Sequence, residues 1–262
     1  MRKRVIRRIF LVAPAAFFCI VALSAPLSSA AAPDRGKTVF DLSHNEIFSP
    51  VKDGPLDYSS FYGMIKNSGQ DVAVTYEKPV KPTLEGVKTY VIAGPSRGFS
   101  PQEQDALKDF VKGGGNLLVL LHISSPVAEL TGDFGIIVSN FVISEATDMI
   151  GNESQDFHVS RFTAHPVTAG LKKIAVFGTW GLRAEADASI VASTSGKAWA
   201  DINRDRKFEP GEPVQQFGII GAASFGKGKV VVVADDAPFA NKFIGEADNR
   251  RLSENIIKWF TR

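Results

Sequence analysis

Short apolar runs, separated by polar and by Gly- or Pro-rich connections, dominate the chain, and helical spacing appears in three places. Residues 38–43, Thr-Val-Phe-Asp-Leu-Ser, form an apolar run that ends in polar residues, the pattern of a first strand. Tyr58 to Ser68 puts Phe61, Met64 and Ile65 on one helical face and stops at Gly69. Val72 to Tyr76 and Tyr90 to Ala93 read as the next two strands, joined through a Pro-rich connection. Ser100, Pro101 and Glu103 spell a helix start, because serine and glutamate three apart can cap each other's backbone and proline fits the first turn. Ala106, Leu107, Phe110 and Val111 then form a buried stripe, and Gly113-Gly114-Gly115 ends the helix. Leu117 to Leu121 is apolar without interruption, which predicts a strand covered on both faces.

The second half has fewer helical stretches. Ile136 to Val138, Ile174 to Phe177 and Ser189 to Ala192 read as strands. Phe217 to Ile220 and Val230 to Val233 flank Gly226-Lys227-Gly228 as a hairpin, and Arg250 to Phe260 is a final amphipathic helix. Strands alternating with helices predict an α/β fold: a three-layer, doubly wound, mostly parallel sheet with extra strands and a hairpin in the C-terminal half.

The amino terminus changes this picture. Arg2, Lys3, Arg4, Arg7 and Arg8 precede an apolar run over Ile9 to Leu27 and then small residues at 28–32, which is the layout of an export signal; residues 1–31 are read as the signal and 32–262 as one domain. Arg7-Arg8-Ile9-Phe10-Leu11 follows the twin-arginine export pattern, and the general secretory route is the alternative. An uncleaved segment would instead anchor the protein in a membrane. Without those five basic residues the formal charge of +2 becomes −3, so nucleic acid is not expected as a partner. Cys19, the single cysteine, lies inside the apolar run, so a processed chain would have no thiol chemistry.

Ligands of open α/β sheets sit beyond the carboxyl ends of the strands. His44, Glu46, Arg97, His122 and Ser124 all follow predicted strands and are the candidate ligand-binding residues. Glu46 could hold an imidazole in one tautomer, and Arg97 could clamp an anion. The bland alternative is a set of loop residues that cap helices. A hydrolase using Ser124, His122 or Glu46 would lack the Gly-x-Ser-x-Gly turn that normally exposes a serine nucleophile. His158 and His165, seven apart, suit neither a helical nor a strand metal pair and read as structural.

The strongest chemical pattern lies at 201–212. Asp201, Asn203, Asp205, Lys207, Glu209 and Glu212 stand at positions one, three, five, seven, nine and twelve of a calcium loop, which needs hard oxygen donors at alternating positions and a closing carboxylate. Arg206 occupies the sixth place, where glycine normally takes a left-handed turn at a saving of roughly 1–2 kcal/mol. A strand-like Val214 to Ile220 replaces the usual exit helix. The expectation is a calcium loop between strands, against a solvated loop without metal.

Several segments together resemble the class I glutamine-amidotransferase-like, flavodoxin-related domains of unknown function in exported bacterial proteins. Those domains are related in fold to domains of gliding-motility, intraflagellar-transport and oligosaccharyltransferase subunits. The likeness is carried by Val91-Ile-Ala-Gly-Pro95, by Ser100-Pro101 through Leu118, by Phe225 through Asp235, and by Asn241 through Trp259. The amidotransferases proper use a cysteine nucleophile near the place where His122 stands, so the resemblance implies a domain without that activity. The expected function is an exported, non-catalytic module that binds a small molecule, a glycan or an envelope protein, with calcium as its cofactor. The alternatives are the hydrolase and a periplasmic subunit of a membrane-attached transport or envelope complex.

Overall fold

The computed structural model describes residues 36–262, so the predicted export signal lies outside the described residues. The first half contains β1 (Lys37–Asp41), α1 (Ser59–Asn67), β2 (Asp71–Thr75), α2 (Lys81–Leu84), β3 (Val87–Ala93), α3 (Pro101–Lys112) and β4 (Asn116–Leu120). The capping box expected at α3 is present, with the Glu103 carboxylate accepting from the Ser100 N–H at 2.6 Å. After α4 (Ala128–Asp133) come β5 (Ile136–Ser144), β6 (Met149–Ile150), β7 (Glu153–Val159), β8 (Arg161–Phe162) and β9 (Ile174–Phe177). β10 (Trp180–Ala184), β11 (Ser189–Ser193), β12 (Trp199–Asp201), β13 (Gly218–Phe225), β14 (Gly228–Val233) and α5 (Asn249–Phe260) complete the chain.

The main sheet runs β12-β5-β10-β13-β14-β4-β3-β1-β2, with β11 added beside β13 and β8 beside β11, and β6-β7-β9 form a second, smaller sheet. From β2 to β14 neighbouring strands are parallel; from β14 to β12 they are antiparallel. Successive side chains of a strand face opposite ways, and the two buried clusters reflect this. Phe40, Val91, Leu118, Val231 and Val233 join Phe61, Ile65, Leu252 and Ile256 of α1 and α5 on one face. Val39, Tyr90, Leu117, Val119 and Val230 join Leu107 and Val111 of α3 and Leu84 and Leu130 on the other. Helices therefore cover both faces of the parallel half, which is the three-layer arrangement the sequence predicts.

The β13–β14 hairpin turns at Gly226, whose φ is +60°. A Cβ on Gly228 would run into the carbonyl oxygens of Gly115 and Val111, so this glycine lets β14 lie close to the end of α3. Where the sequence suggests a strand from Val214, β13 starts only at Gly218, and Val214 makes a single bridge to Trp199. Among the described residues no helix is long and apolar enough to cross a membrane.

Candidate functional site at the strand ends

The carboxyl ends of β1, β3, β4 and β14 lie side by side, and each chain leaves the sheet into polar residues. After β1 these residues turn inward. His44 is fully buried, its Nδ1 2.6 Å from Asp41 Oδ2 and its ring stacked at 3.7 Å on Phe99. Asp41 rather than Glu46 holds the imidazole; the Glu46 carboxylate instead accepts from the His44 backbone N–H at 3.1 Å. Ser43 Oγ lies 3.1 Å from the same Nδ1 and donates to Asp41 Oδ1 at 2.6 Å. Serine and aspartate thus meet at one ring nitrogen, whereas a catalytic relay needs them at opposite nitrogens. His44 Nε2 has no hydrogen-bond partner among the described residues and lies 3.6 Å from Glu103 Oε1, which also faces Lys78 Nζ at 3.5 Å.

The charges in this cluster act on one another. Burial, and then the neighbouring Asp41, push the Glu46 carboxyl up to about 7. Burial also acts to raise Glu103, but the Ser100 hydrogen bonds, His44 and Lys78 outweigh it and hold that carboxyl below its ordinary value. Burial and the Asp41 charge keep the Tyr90 hydroxyl protonated far above its usual range. Ligand atoms of Asp41, His44 and Glu46 lie within 4.8 Å of one another, so these three could hold a metal ion, but only by giving up the bonds just described.

The cluster at β4 and β14 is open. His122, with 40% of its side chain exposed, meets Asp236 Oδ1 through Nδ1 at 3.2 Å. Asp236 Oδ2 accepts from the buried Tyr58 hydroxyl at 2.5 Å. The Phe48 ring stands edge-on to both Tyr58 and His122, and the Trp180 indole N–H donates to the His122 carbonyl at 3.2 Å. The bond to Asp236 raises the His122 pKa against the opposing effect of partial burial. Beneath it, Asp235 accepts from the Phe177 and Ala237 N–H groups, while burial and then the Asp236 charge push its carboxyl up to about 8.

Gly94 joins the two clusters. Its φ is +62°, and a Cβ there would lie 3.0 Å from Asp236 Oδ2, 3.3 Å from His122 Cβ and 3.4 Å from the Tyr58 hydroxyl. Its carbonyl accepts from Ile47 N at 3.1 Å. Arg97, two residues past Pro95, is exposed, and its backbone N–H donates to the His44 carbonyl at 3.0 Å. Ser124 is buried and lines a separate groove of about 450 Å³ with Phe99, Gln104, Glu129 and Ser139. Among the described residues no hydroxyl bonds to the His122 ring, and Ser124 Oγ is not joined to it. His165 Nδ1 accepts from Val167 N at 3.2 Å and starts a 3-10 turn.

The five sequence candidates therefore fall into a closed cluster (His44, Glu46), an open one (His122), a groove (Ser124) and an exposed position (Arg97). Asp41, Tyr58, Gly94, Asp235 and Asp236 were not among them. Ala234 alone separates Asp235-Asp236 from the four valines of β14, and Asp41 ends β1; a carboxylate at the end of a largely buried strand is the signal that could have found these three.

The mmIFT52 N-terminal domain matches this fold with a TM-score of 0.71 at 18% identity, over 86% of this chain and 97% of that one. A cytoplasmic protein from Salmonella typhimurium matches with a TM-score of 0.56 at 11% identity, over 86% of this chain and 100% of that one. A ThuA-like protein from Bacteroides uniformis matches with a TM-score of 0.52 at 14% identity, over 90% and 95%. These likenesses are of fold, and they agree with the glutamine-amidotransferase-like α/β architecture. No curated protein matches the sequence. A family model described as a domain of unknown function, DUF4350, matches residues 52–257, and the chain belongs to that family.

Proposed function

We propose that the protein is an exported, non-catalytic binding module whose ligand docks at the open strand-end cluster and offers acceptor oxygens, such as sugar hydroxyls or carboxylates, to the His122 imidazole. One observation carries this reading. His122 is half exposed and aligned by the buried Asp236–Tyr58 pair, yet among the described residues no nucleophile is bonded to it. A braced imidazole with a raised pKa is a strong directional donor, and the Phe48 ring beside it supplies an apolar wall. An enzyme would need a second group within reach of the ring.

Equilibrium binding of a panel of neutral sugars, sugar acids and simple carboxylates to the parent protein and to His122→Ala tests the reading. Loss of binding in the variant supports it. Turnover of an ester or glycoside that depends on Ser124 would replace it with the hydrolase. Export is supported by the basic, apolar and small-residue succession of residues 1–31. The mass of the mature amino terminus decides that point, since an intact Met1 argues for an anchor or for no export.

A further inference from the structure

At the edge of the main sheet formed by β12, the chain runs into the loop 202–217, whose Arg204 lies over the Trp180 ring. The base of this loop is a clasp: Ala200 N donates to the Pro213 carbonyl and Gln215 N to the Ala198 carbonyl, both at 3.0 Å. Asp201 and Glu212 are thereby held at facing ends of the loop. Inside it, Glu209 Oε2 accepts from Asn203 Nδ2 at 3.3 Å, and the other acceptor side chains are tied down by backbone N–H groups. Asp201 Oδ2 accepts from Arg206 N at 3.0 Å, Asn203 Oδ1 from Asp205 N at 3.1 Å, and Asp205 Oδ1 from Lys207 N at 2.8 Å. Glu212 accepts from Ile202 N and Glu209 N at 3.1 and 3.0 Å. Arg206 adopts the left-handed conformation that its place in a calcium loop demands, with φ +64°.

These turns describe a loop and would not by themselves make a site. The independent observation is Asp201 Oδ1. Asp201 is 0% exposed, its carboxylate is turned to the loop by the Oδ2 bond to Arg206 N, and Oδ1 has no hydrogen-bond partner among the described residues. The contrast with Glu145 is instructive: that buried carboxylate has both oxygens satisfied, by Ala146 N, Thr147 N, Ser195 N and Ser195 Oγ. A buried carboxylate oxygen with no partner is costly in water-free surroundings, and a hard cation removes that cost.

We propose that this loop binds one calcium ion through Asp201 Oδ1, Asn203, Asp205, the Lys207 carbonyl and Glu212, with Glu212 exchanging the Glu209 N–H for the ion. The donors are all hard oxygens, and the flexible, irregular shell suits calcium over magnesium, which demands near-ideal octahedral geometry. The ion would brace the junction between the two sheets, because the same loop reaches β7 through Gln155 Nε2 to Asp201 Oδ2 at 2.9 Å and Ser154 Oγ to the Arg206 carbonyl at 3.0 Å.

Terbium is the probe. Trp199, two residues before Asp201 and edge-on to Phe208, is positioned to sensitise its emission in the purified full chain. Titration with terbium should give saturable emission excited through tryptophan, displaced by calcium and not by equimolar magnesium. The melting midpoint should rise by about 3–5 °C at calcium tenfold above its dissociation constant. Asp201→Asn should abolish both effects. Because that residue is buried and its variant could misfold, the exposed Asp205→Asn must also weaken terbium binding at least tenfold while melting cooperatively. Absence of sensitised emission, emission unchanged in Asp205→Asn and Glu212→Gln, or displacement by magnesium as effective as by calcium would each overturn the proposal.

Discussion

Two carboxylate-braced imidazoles sit at the ends of β1 and β4, on either side of β3, and they have opposite fates. His44 is enclosed: Asp41 takes its Nδ1, Phe99 covers its face, and Glu103 closes off its far nitrogen. His122 is braced in the same way by Asp236, with the bare backbone of Gly94 packed close beside the pair, but its ring reaches solvent. Histidine type and strand-end position are shared, so neither separates a structural group from a binding group. What separates them is whether the ring still reaches solvent after the surrounding loops have closed.

Breaking the closed cluster should cost most. Asp41→Ala leaves a fully buried imidazole without its partner and should destabilise by about 3–5 kcal/mol in chemical denaturation. A loss below about 1 kcal/mol would mean that His44 is not held as described. In the open cluster, Tyr58→Phe removes one bond to a charged acceptor and should cost about 1.5–3 kcal/mol while leaving the fold intact. It should also free Asp236 to pair more closely with His122, moving the imidazole titration upward in NMR.

The two clusters also differ in how pH reaches them. Asp235 under the open cluster titrates near 8 and Glu46 in the closed one near 7, both raised first by burial. A carboxyl with a higher pKa in the folded chain keeps a proton that the unfolded chain, at about 4, gives up. Its stabilising contribution is therefore whole below about pH 4 and is lost as pH rises through 7 to 8. Stability should fall between pH 5 and pH 8, and Asp235→Asn should flatten that fall more than Glu46→Gln does. Denaturation midpoints across this range check the order; an equal slope in Asp235→Asn and the parent would contradict it. The smallest effect is expected at the surface: His122→Ala should change stability by about 1 kcal/mol or less, since Asp236 keeps its bond to Tyr58.

The sequence announces the parallel half of the fold because each of its elements is locally consistent. Ser100, Pro101 and Glu103 start α3, the glycines at 113–115 end it, and the unbroken apolar runs of β4 and β14 are buried on both faces. The antiparallel half is less legible. β7 and β10 interleave polar residues and hold Asp156, His158 and Arg183, so their strand character depends on partners distant in sequence. The site is legible only as a set of strand-end residues. Glu103 reads as a helix cap, and one of its oxygens is; the other faces His44 from across the sheet edge. Tyr58 reads as the start of a helix, and nothing local indicates that its hydroxyl meets Asp236, 178 residues away. Long-range contacts decide which polar atoms remain free, and periodicity does not record them.

The most direct test of the open-versus-closed account is a two-dimensional NMR spectrum of the four histidine imidazoles recorded while the sugar and carboxylate panel is added. The account predicts that His122 resonances move saturably with at least one of those ligands, while His44, His158 and His165 stay in place. Movement of His44 ahead of His122, or saturable binding that leaves His122 unperturbed, would contradict it.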